Sequence, residues 1–331
     1  MLQAEHSKRA IRAIPKRALR ALRDFRTGAC RLLILLFTLF ACVAVAGIAR
    51  ADQQHFSSPD DAAKALVDAT RTMDLKAALA ILGNEAMPII SSGDKVADAE
   101  YRQSFVDRYD QMHRFVTLKN GDEILYIGAE NYPFPIPLVK DAQGWYFNTP
   151  AGEREILYRR IGQDELYTIA VLHALIDAQK TYFQQPHDGS DVKQYAAKLF
   201  STPGTQDGLY WKPTGDEPES PVGPFLAKAS AGNYVKQFSS KPSPFHGYYY
   251  RILTAQGPDA SGGASSFIVD GKMTGGFAFA AYPAKYRNSG VMSFIAGDDG
   301  QIYQKDLGPK SAEIVRSMKA FNPDSTWTKA E

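Results

Sequence analysis

A histidine and an aspartate, His173 and Asp177, lie four residues apart in a segment whose pattern predicts a helix. Side chains at this spacing can meet, so the carboxylate could orient the imidazole as a general base or as a metal ligand. Neither a nucleophile motif nor a second metal ligand lies at a useful spacing from the pair. The pattern therefore favours a structural histidine at the edge of the core, held by a hydrogen bond.

A second group of residues that could bind a ligand or take part in a reaction is the acidic segment from Asp216 to Glu219, which closely follows Tyr210-Trp211. Carboxylates beside exposed aromatic rings could bind a sugar, a cationic peptide or calcium, but the spacing is not that of a calcium loop, and acidic loops are usually just solvated. His246 could approach this segment from the first strand of a C-terminal sheet. The predicted binding residues are Tyr210, Trp211, Glu217, Glu219, His246 and Tyr248.

Motifs for several other chemistries are missing from the sequence. It has no G-x-S-x-G elbow, no H-E-x-x-H and no dinucleotide fingerprint. Gly262-Gly263 and Gly275-Gly276 lack the lysine and threonine of a phosphate loop and indicate turns. Both cysteines, Cys30 and Cys42, precede residue 52, which excludes disulfides, thiol catalysis and cysteine metal sites from the rest of the chain. We therefore predict no catalytic residue, no metal site and no cofactor.

The first 51 residues have the plan of a secretory signal. A basic stretch precedes 17 uncharged residues, Leu32 to Ile48, and the small-x-small site Ala49-Arg50-Ala51 follows. Cleavage after Ala51 would leave a mature protein in the periplasm or outside the cell. The alternative is an inner-membrane anchor with the body outside the cytoplasm, because 17 apolar residues reach the lower limit for spanning a bilayer.

The charge of the chain is distributed unevenly. Residues 1–51 carry ten basic and two acidic side chains, which leaves 28 basic against 34 acidic side chains in the other 280 residues. A body with a formal charge of −6 argues against nucleic-acid binding, which needs a basic face. Contact with a membrane is expected only through the N-terminal segment, if that segment is not cleaved.

The elements that would position these residues begin with helices. Ser57 to Asp61 supplies a serine cap, a proline and first-turn acids for one helix, and a second helix is predicted from Asp74 to Leu82. A third is predicted from Asp98 to Phe115. Its apolar stripe comprises Tyr101, Phe105, Tyr109 and Met112. Strands are then predicted at Glu123–Ile127, Ile136–Val139 and Gly144–Asn148.

A long helix is predicted over Glu153–Phe183, opened by a cap and a proline at Thr149-Pro150. Gly162 is its weak point, and we place a domain boundary there. Its apolar face is predicted to carry Leu166, Ile169, His173, Ile176 and Phe183. A mixed surface on the opposite side carries Asp164, Thr168, Leu175 and Tyr182.

An irregular, aromatic-rich layer is predicted over residues 185–244, followed by an antiparallel meander. Its strands are Gly247–Thr254, Ser265–Val269, Gly275–Tyr282, Gly290–Ala296 and Gln301–Lys305. Asp298-Asp299-Gly300 predicts a tight hairpin, with a two-residue turn at Asp299-Gly300 and a positive φ at Gly300. A helix over Ser311–Phe321 closes the chain. The predicted fold class is α+β, with a signal segment (1–51), an N-terminal α+β domain (52–161) and a C-terminal α+β domain (162–331).

Several sequence blocks resemble the bacterial family known as domain of unknown function 2950. They lie between Arg159 and Pro309. The blocks are RRIG from Arg159, DAQ from Asp177, STPGTQDGLYWKP from Ser201, GDEPESPVGPF from Gly215, FHGYYYRILTAQGP from Phe245, GKMTGGFAFAAYP from Gly271, SGVMSFI from Ser289 and GQIYQKDLGP from Gly300. The family is uncharacterised, so the resemblance implies membership and no activity.

The order of a long helix, an irregular layer and a meander also resembles the globular heads of type IV pilins and pseudopilins. Here, however, the helix is internal and amphipathic, so no pilin polymerisation residue can be carried over. We expect a non-enzymatic envelope protein that binds another envelope protein or a polymer through a pilin-like domain. The alternative is a periplasmic hydrolase of glycan or peptide that uses Glu217 or Glu219 with His246.

Overall fold

The fold is described by a computed structural model that covers residues 53–212, 219–224 and 243–330, and the chain from Gln53 onward forms one compact unit. The predicted signal segment lies outside the described residues. The helices are α1 (Pro59–Arg71), α2 (Leu75–Leu82), α3 (Met87–Ile90), α4 (Lys95–Gln111), α5 (Thr149–Tyr182) and α6 (Ser311–Ser317). None of the helices in the described ranges has the length and apolar character that a membrane crossing needs.

The strands form antiparallel sheets, apart from one short parallel pair. The first five are β1 (His113–Thr117), β2 (Glu123–Ile127), β3 (Tyr132–Pro133), β4 (Leu138–Lys140) and β5 (Trp145–Phe147). The others are β6 (Tyr248–Leu253), β7 (Ala255–Gln256), β8 (Ser265–Ser266), β9 (Ile268–Val269), β10 (Lys272–Met273), β11 (Ala278–Pro283), β12 (Met292–Gly297), β13 (Ile302–Asp306), β14 (Ala320–Phe321) and β15 (Thr328–Lys329). Together with the six helices of the described ranges, these sheets confirm the predicted α+β class.

Each half of the chain contributes one five-stranded sheet. In the first, the strand order is β1-β2-β4-β5, and β3 pairs with β2. In the second, the order is β15-β13-β12-β11-β6. Two smaller sheets, β14-β7-β8 and β10-β9, lie in the C-terminal half, so the predicted strand Ser265–Val269 is divided between them.

Side-chain caps begin the N-terminal helices where the sequence predicts them. The hydroxyl of Ser58 accepts a hydrogen bond from the backbone N–H of Asp61, at the start of α1. Asp74 accepts from the N–H of Ala77 and so caps α2 in the same way. These bonds satisfy backbone donors that have no partner inside a helix, which is why serine and aspartate are favoured here.

The third helix begins and ends earlier than the predicted Asp98–Phe115. It ends at Gln111, and His113–Thr117 instead forms β1, which pairs along its whole length with β2. Phe115, Val116 and Thr117 are aromatic or β-branched and suit a pleated strand. The prediction of helix to Phe115 was wrong because pairing with β2 outweighs the local helical pattern.

The long helix α5 runs without a break through Gly162. In the sequence, the N-terminal cores lie before this residue and nearly all of the C-terminal core lies after it. The described N-terminal cores are built from residues 56–156. The C-terminal core is built from residues 169–330 together with Val96. Whether residues 52–161 and 162–331 fold as separate domains stays a prediction.

The face of α5 that packs inward is the mixed one. Asp164 and Thr168 are buried, whereas Leu166 and His173 are exposed. The predicted apolar face was therefore wrong at these two positions, although Ile176 is buried in the core. The polar side chains are tolerated because they are hydrogen-bonded: Tyr250 donates to the hydroxyl of Thr168 at 3.2 Å. His173 and Asp177 are both exposed.

The turn between β12 and β13 has Gly300 at a φ of +82°, as predicted. The N–H of Gly300 donates to the carbonyl of Gly297 at 3.2 Å, so Asp298 and Asp299 are the central residues of the turn. The glycine follows them in the left-handed region, as in a three-residue hairpin loop. The predicted two-residue turn at Asp299-Gly300 was therefore wrong, because the loop has three residues, Asp298 to Gly300.

Candidate ligand-binding site

A cavity of about 780 Å³ lies among the N-terminal helices, the first sheet and the start of α5. Its volume is within the range of small-molecule sites in proteins. Apolar side chains dominate the lining. The larger ones that keep accessible surface there are Ile89, Ile90, Phe105, Phe134 and Ile156.

The cavity reaches the surface at a mouth formed by large apolar side chains. Met73 is 74% exposed, and Leu75, Met87 and Tyr101 are also exposed although each lines the cavity. Met73 has a φ of +56°, a conformation that is costly for a residue with a side chain. A contiguous apolar patch that continues into a cavity is typical of a binding site.

Helix α4 supplies both apolar and basic groups to the cavity. Arg102, Phe105 and Arg108 follow one another at spacings of three residues, which places them on one side of the helix. Lys95 lies at the beginning of the same helix and also lines the cavity. Within the described part of the chain, Lys95 and Arg102 form no ion pair. Their charges therefore face the cavity without an acidic partner from those residues.

Arg108 and a further arginine, Arg159, contact one aromatic ring at the cavity. The guanidinium carbon of Arg108 lies 5.2 Å from the centre of the Tyr132 ring, and that of Arg159 lies 5.0 Å from it. Cation–π contacts of this kind orient the guanidinium groups. Arg159 also pairs with Glu155 at 2.7 Å, so part of its charge is compensated.

The acidic residues of the lining are engaged in structural hydrogen bonds. Asp98 accepts bonds from the N–H and hydroxyl of Ser92, at 3.0 Å and 2.7 Å, and from the hydroxyl of Ser91. Asp74 caps α2. The lining thus contains five basic residues, Lys95, Arg102, Arg108, Arg159 and Arg160, against these two acidic ones. The lining is consequently mostly apolar, with a formal excess of three positive charges.

Behind the cavity lies a group of buried polar residues that we call the polar seam: Asp94, Arg160, Asp164, Gly247 and Asn288. Arg160 donates to the carbonyls of Pro88 and Ile89 and, at 3.0 Å, to the side-chain oxygen of Asn288. Asp94 accepts from the N–H of Gly247 at 3.0 Å. The seam therefore joins the helices around the cavity to the C-terminal sheet.

Asp164 is the electrostatically unusual member of the seam. Burial raises the pKa of its carboxyl to about 8, and the negative charges of Asp94 and Asp98 act in the same direction, against Tyr101 and Arg160. Its Oδ1 accepts a bond from the Tyr101 hydroxyl at 3.2 Å, while its buried Oδ2 has no hydrogen-bond partner among the described residues. Because Tyr101 also lines the cavity, Asp164 is linked to the site through one side chain.

The sequence blocks that resemble a known family are matched by a comparison with family models. The model described as a protein of unknown function (DUF2950) matches residues 53–330. The chain belongs to this family. No curated protein and no solved structure matches this DUF2950 chain. The likeness to pilin heads is unsupported by these comparisons and stays a prediction.

The DUF2950 chain places its sequence-predicted binding residues in different surroundings. Trp211 and Tyr248 are buried in the C-terminal core, and the half-buried Tyr210 packs against that core. Glu219 is exposed. Glu217 lies outside the described residues. The role of all these residues in binding stays a prediction.

His246, the remaining predicted residue, is 8% exposed and has a φ of +46°. Its ring stacks on that of Tyr167, with the ring centres 4.4 Å apart. Burial lowers the pKa of His246 to about 4, so the imidazole is neutral at pH 7. The next residue, Gly247, lies directly against Asp164: a Cβ at this position would be 2.5 Å from Asp164 Oδ2.

The part of this DUF2950 protein that the structure describes contains no candidate metal site. No group of three or more histidine, cysteine, aspartate and glutamate side chains there could hold a metal ion. The carboxylates Asp94 and Asp98 are instead occupied by backbone and serine donors. The described cavity thus presents apolar surface close to basic side chains.

Sequence reasoning missed the cavity and its arginines. The signal that could have indicated them is the interleaving of Arg102 and Arg108 with Tyr101 and Phe105 on one helix. Basic residues on an otherwise apolar helix side are unexpected if that side simply packs in a core.

Proposed function

We propose that this DUF2950 protein is an exported envelope protein that binds an apolar ligand in the cavity between α1, α2, α4 and α5. The observation that carries the proposal is the cavity itself, which combines a volume of about 780 Å³ with a mouth of exposed apolar side chains. Export is supported by the basic stretch, the apolar run and the Ala49-Arg50-Ala51 site. A non-enzymatic role agrees with this lining, which offers charge and apolar surface.

The position of the cavity supports ligand binding over a purely structural void. The cavity opens to solvent, so its accessible apolar lining is in contact with water, which is unfavourable until a ligand covers it. The large apolar side chains at the mouth are also exposed to water, which is unfavourable. An apolar ligand would remove both costs, because it would cover the accessible lining and also Met73, Leu75 and Met87.

A direct test uses the uncharged fluorophore Nile red, whose emission increases in apolar surroundings. The mature chain should bind it in a saturable manner. Ser104 lines the cavity from α4 and is exposed, so Ser104→Trp should obstruct the site without disturbing a core. The matched control is Gln103→Trp, which adds the same side chain to the neighbouring exposed position, outside the lining.

The expected result is saturable binding by the wild type and by Gln103→Trp, with at least tenfold weaker binding by Ser104→Trp. Circular dichroism and a thermal melt of each variant verify that the fold is retained. Absence of saturable binding by the wild type, or equal binding by the two tryptophan variants, would show that the cavity is not the binding site.

A further inference from the structure

Resting on the proposed function, we infer that the ligand is an amphipathic anion, a single aliphatic chain that ends in a carboxylate or a phosphate group. The inference follows from the combination of groups in the cavity lining. Aliphatic side chains surround the interior, and unneutralised basic groups lie among them. An uncharged hydrocarbon would leave those basic groups without a partner, and an inorganic anion would leave the apolar lining unused.

The chain of the ligand is indicated by the lining of the interior. Ile89, Ile90 and Ile156 line the cavity, are only half-buried, and offer aliphatic surface with no hydrogen-bonding side-chain group. Burying each methylene of a ligand against such a surface contributes about fourfold in affinity. A sugar or a short polar peptide would lose hydrogen bonds to water here without replacing them.

The acidic group of the ligand is indicated by the charges. Asp74 and Asp98 are already bonded to backbone and serine donors, whereas Lys95 and Arg102 have no ion pair within the described ranges. Arg108 and Arg159 are oriented by the ring of Tyr132. A planar guanidinium can donate two parallel hydrogen bonds to a carboxylate or a phosphate, which favours these groups over a lone halide.

Arg102 and Arg108 are the groups assigned to the acidic end. Arg160 donates to three oxygens of the protein, and Arg159 pairs with Glu155, so both are already engaged. Arg102 and Arg108 are half-buried on α4, on either side of Phe105. A ligand whose acidic end met them could direct its chain along Phe105 into the interior.

The test measures displacement of Nile red by four twelve-carbon compounds below their micelle concentrations: dodecanoate, dodecyl phosphate, dodecanol and dodecyltrimethylammonium. The two anions should bind at least about tenfold more tightly than the alcohol, and the cation should bind most weakly. The carboxylate and phosphate arms also identify which acidic group is preferred. Decanoate should bind about fifteenfold more weakly than dodecanoate, because it lacks two methylenes.

The variants Arg102→Gln and Arg108→Gln locate the acidic end. Each should weaken dodecanoate binding by about tenfold, the lower limit for losing a hydrogen bond to a charged group, and leave dodecanol binding unchanged. Arg154→Gln is the matched control, since Arg154 is an exposed residue of α5 outside the lining. It should bind both compounds as the wild type does.

The outcomes separate this inference from the proposed function. Equal affinities for dodecanoate and dodecanol, unaffected by either arginine variant, would overturn the anionic assignment while leaving apolar binding in place. Displacement by an acidic peptide with an apolar tail, but by neither alkyl anion, would also overturn it. If the wild type fails to bind Nile red at all, the proposed function fails first.

Discussion

The raised pKa of Asp164 has a consequence for stability that can be worked out in advance. An unfolded aspartate ionises with a pKa of about 3.9, whereas burial raises the pKa of Asp164 to about 8 in the folded protein. Between these values the folded state holds a proton that the unfolded state releases. The free energy of unfolding therefore falls as the pH rises through this range, by up to about 1.4 kcal/mol per pH unit.

His246 has the opposite effect over part of that range. Its pKa is lowered by burial to about 4, from an ordinary value of about 6.5. Between these values the unfolded state holds the extra proton, so this group makes the protein more stable as the pH rises. The two effects oppose each other below pH 6.5. Between pH 6.5 and 8 only the effect of Asp164 remains. It should lower the free energy of unfolding by about 2 kcal/mol over this range.

The perturbation that isolates this effect is Asp164→Asn, which keeps the shape of the side chain and removes its ionisation. The matched control is Asp177→Asn, an exposed carboxylate on the same helix. Urea denaturation, followed by circular dichroism at pH 5.5, 6.5, 7.5 and 8.5, gives the free energy of unfolding. Relative to Asp164→Asn, the wild type and the control should both lose about 2 kcal/mol between pH 6.5 and 8.5. Parallel pH profiles for all three proteins would refute the reasoning, since Asp164 would then titrate alike in the folded and unfolded states.

The remaining predictions concern the hairpin, the core, export and catalysis. Gly300→Val should lower the free energy of unfolding by about 1–3 kcal/mol because of its positive φ, whereas Gln301→Val should change it by less than about 0.5 kcal/mol; urea denaturation measures both. Tyr248→Phe should cost about 1 kcal/mol in the same assay, since the buried Tyr248 hydroxyl donates to the carbonyl of Met292 at 2.8 Å. N-terminal sequencing of the protein from its native envelope should begin at Asp52; a full-length chain in the membrane fraction would indicate an anchor instead. Glu219→Gln should leave stability unchanged, and hydrolysis of wall glycan or peptide by the wild type that this variant lacks would establish the hydrolase alternative.

Local signals in the sequence predicted the parts of the fold that depend on local interactions. Ser58 and Asp74 begin their helices because a side chain and a backbone donor three residues later suffice for a cap. The strand Glu123–Ile127 was predicted with the bounds that it has in the structure. Gly300 adopts its positive φ because the turn requires it, whatever the rest of the protein does.

The parts that sequence reasoning missed depend on tertiary contacts. The strand β1 exists because β2 is available to pair with it, and its sequence alone continues a helical pattern. The inward face of α5 carries Asp164 and Thr168 because Tyr101 and Tyr250, distant in sequence, supply hydrogen bonds. The amphipathic pattern of the helix sequence cannot reveal such a face, because its polar residues can be buried only when hydrogen-bond partners from other parts of the chain are in place.

The cavity was beyond local reasoning for a related physical reason. Its lining is drawn from residues 66–163, which belong to helices, strands and connecting segments that meet only in the folded chain. The predicted apolar stripe on α4 is also divided in the structure: Tyr109 is buried, whereas Tyr101 is exposed at the mouth of the cavity. Because some residues of the stripe lie in the core and others lie at the cavity, the hydrophobic periodicity of the sequence does not predict which of them are buried.

The most direct test of the account is the crystal structure of the mature protein with 12-bromododecanoate, in which the anomalous signal of bromine marks the end of the chain. The account predicts bromine inside the cavity, among Ile89, Ile90 and Ile156, and the carboxylate within 4 Å of a guanidinium nitrogen of Arg102 or Arg108. Bromine bound elsewhere on the protein, or a cavity filled by the protein's own side chains, would contradict it.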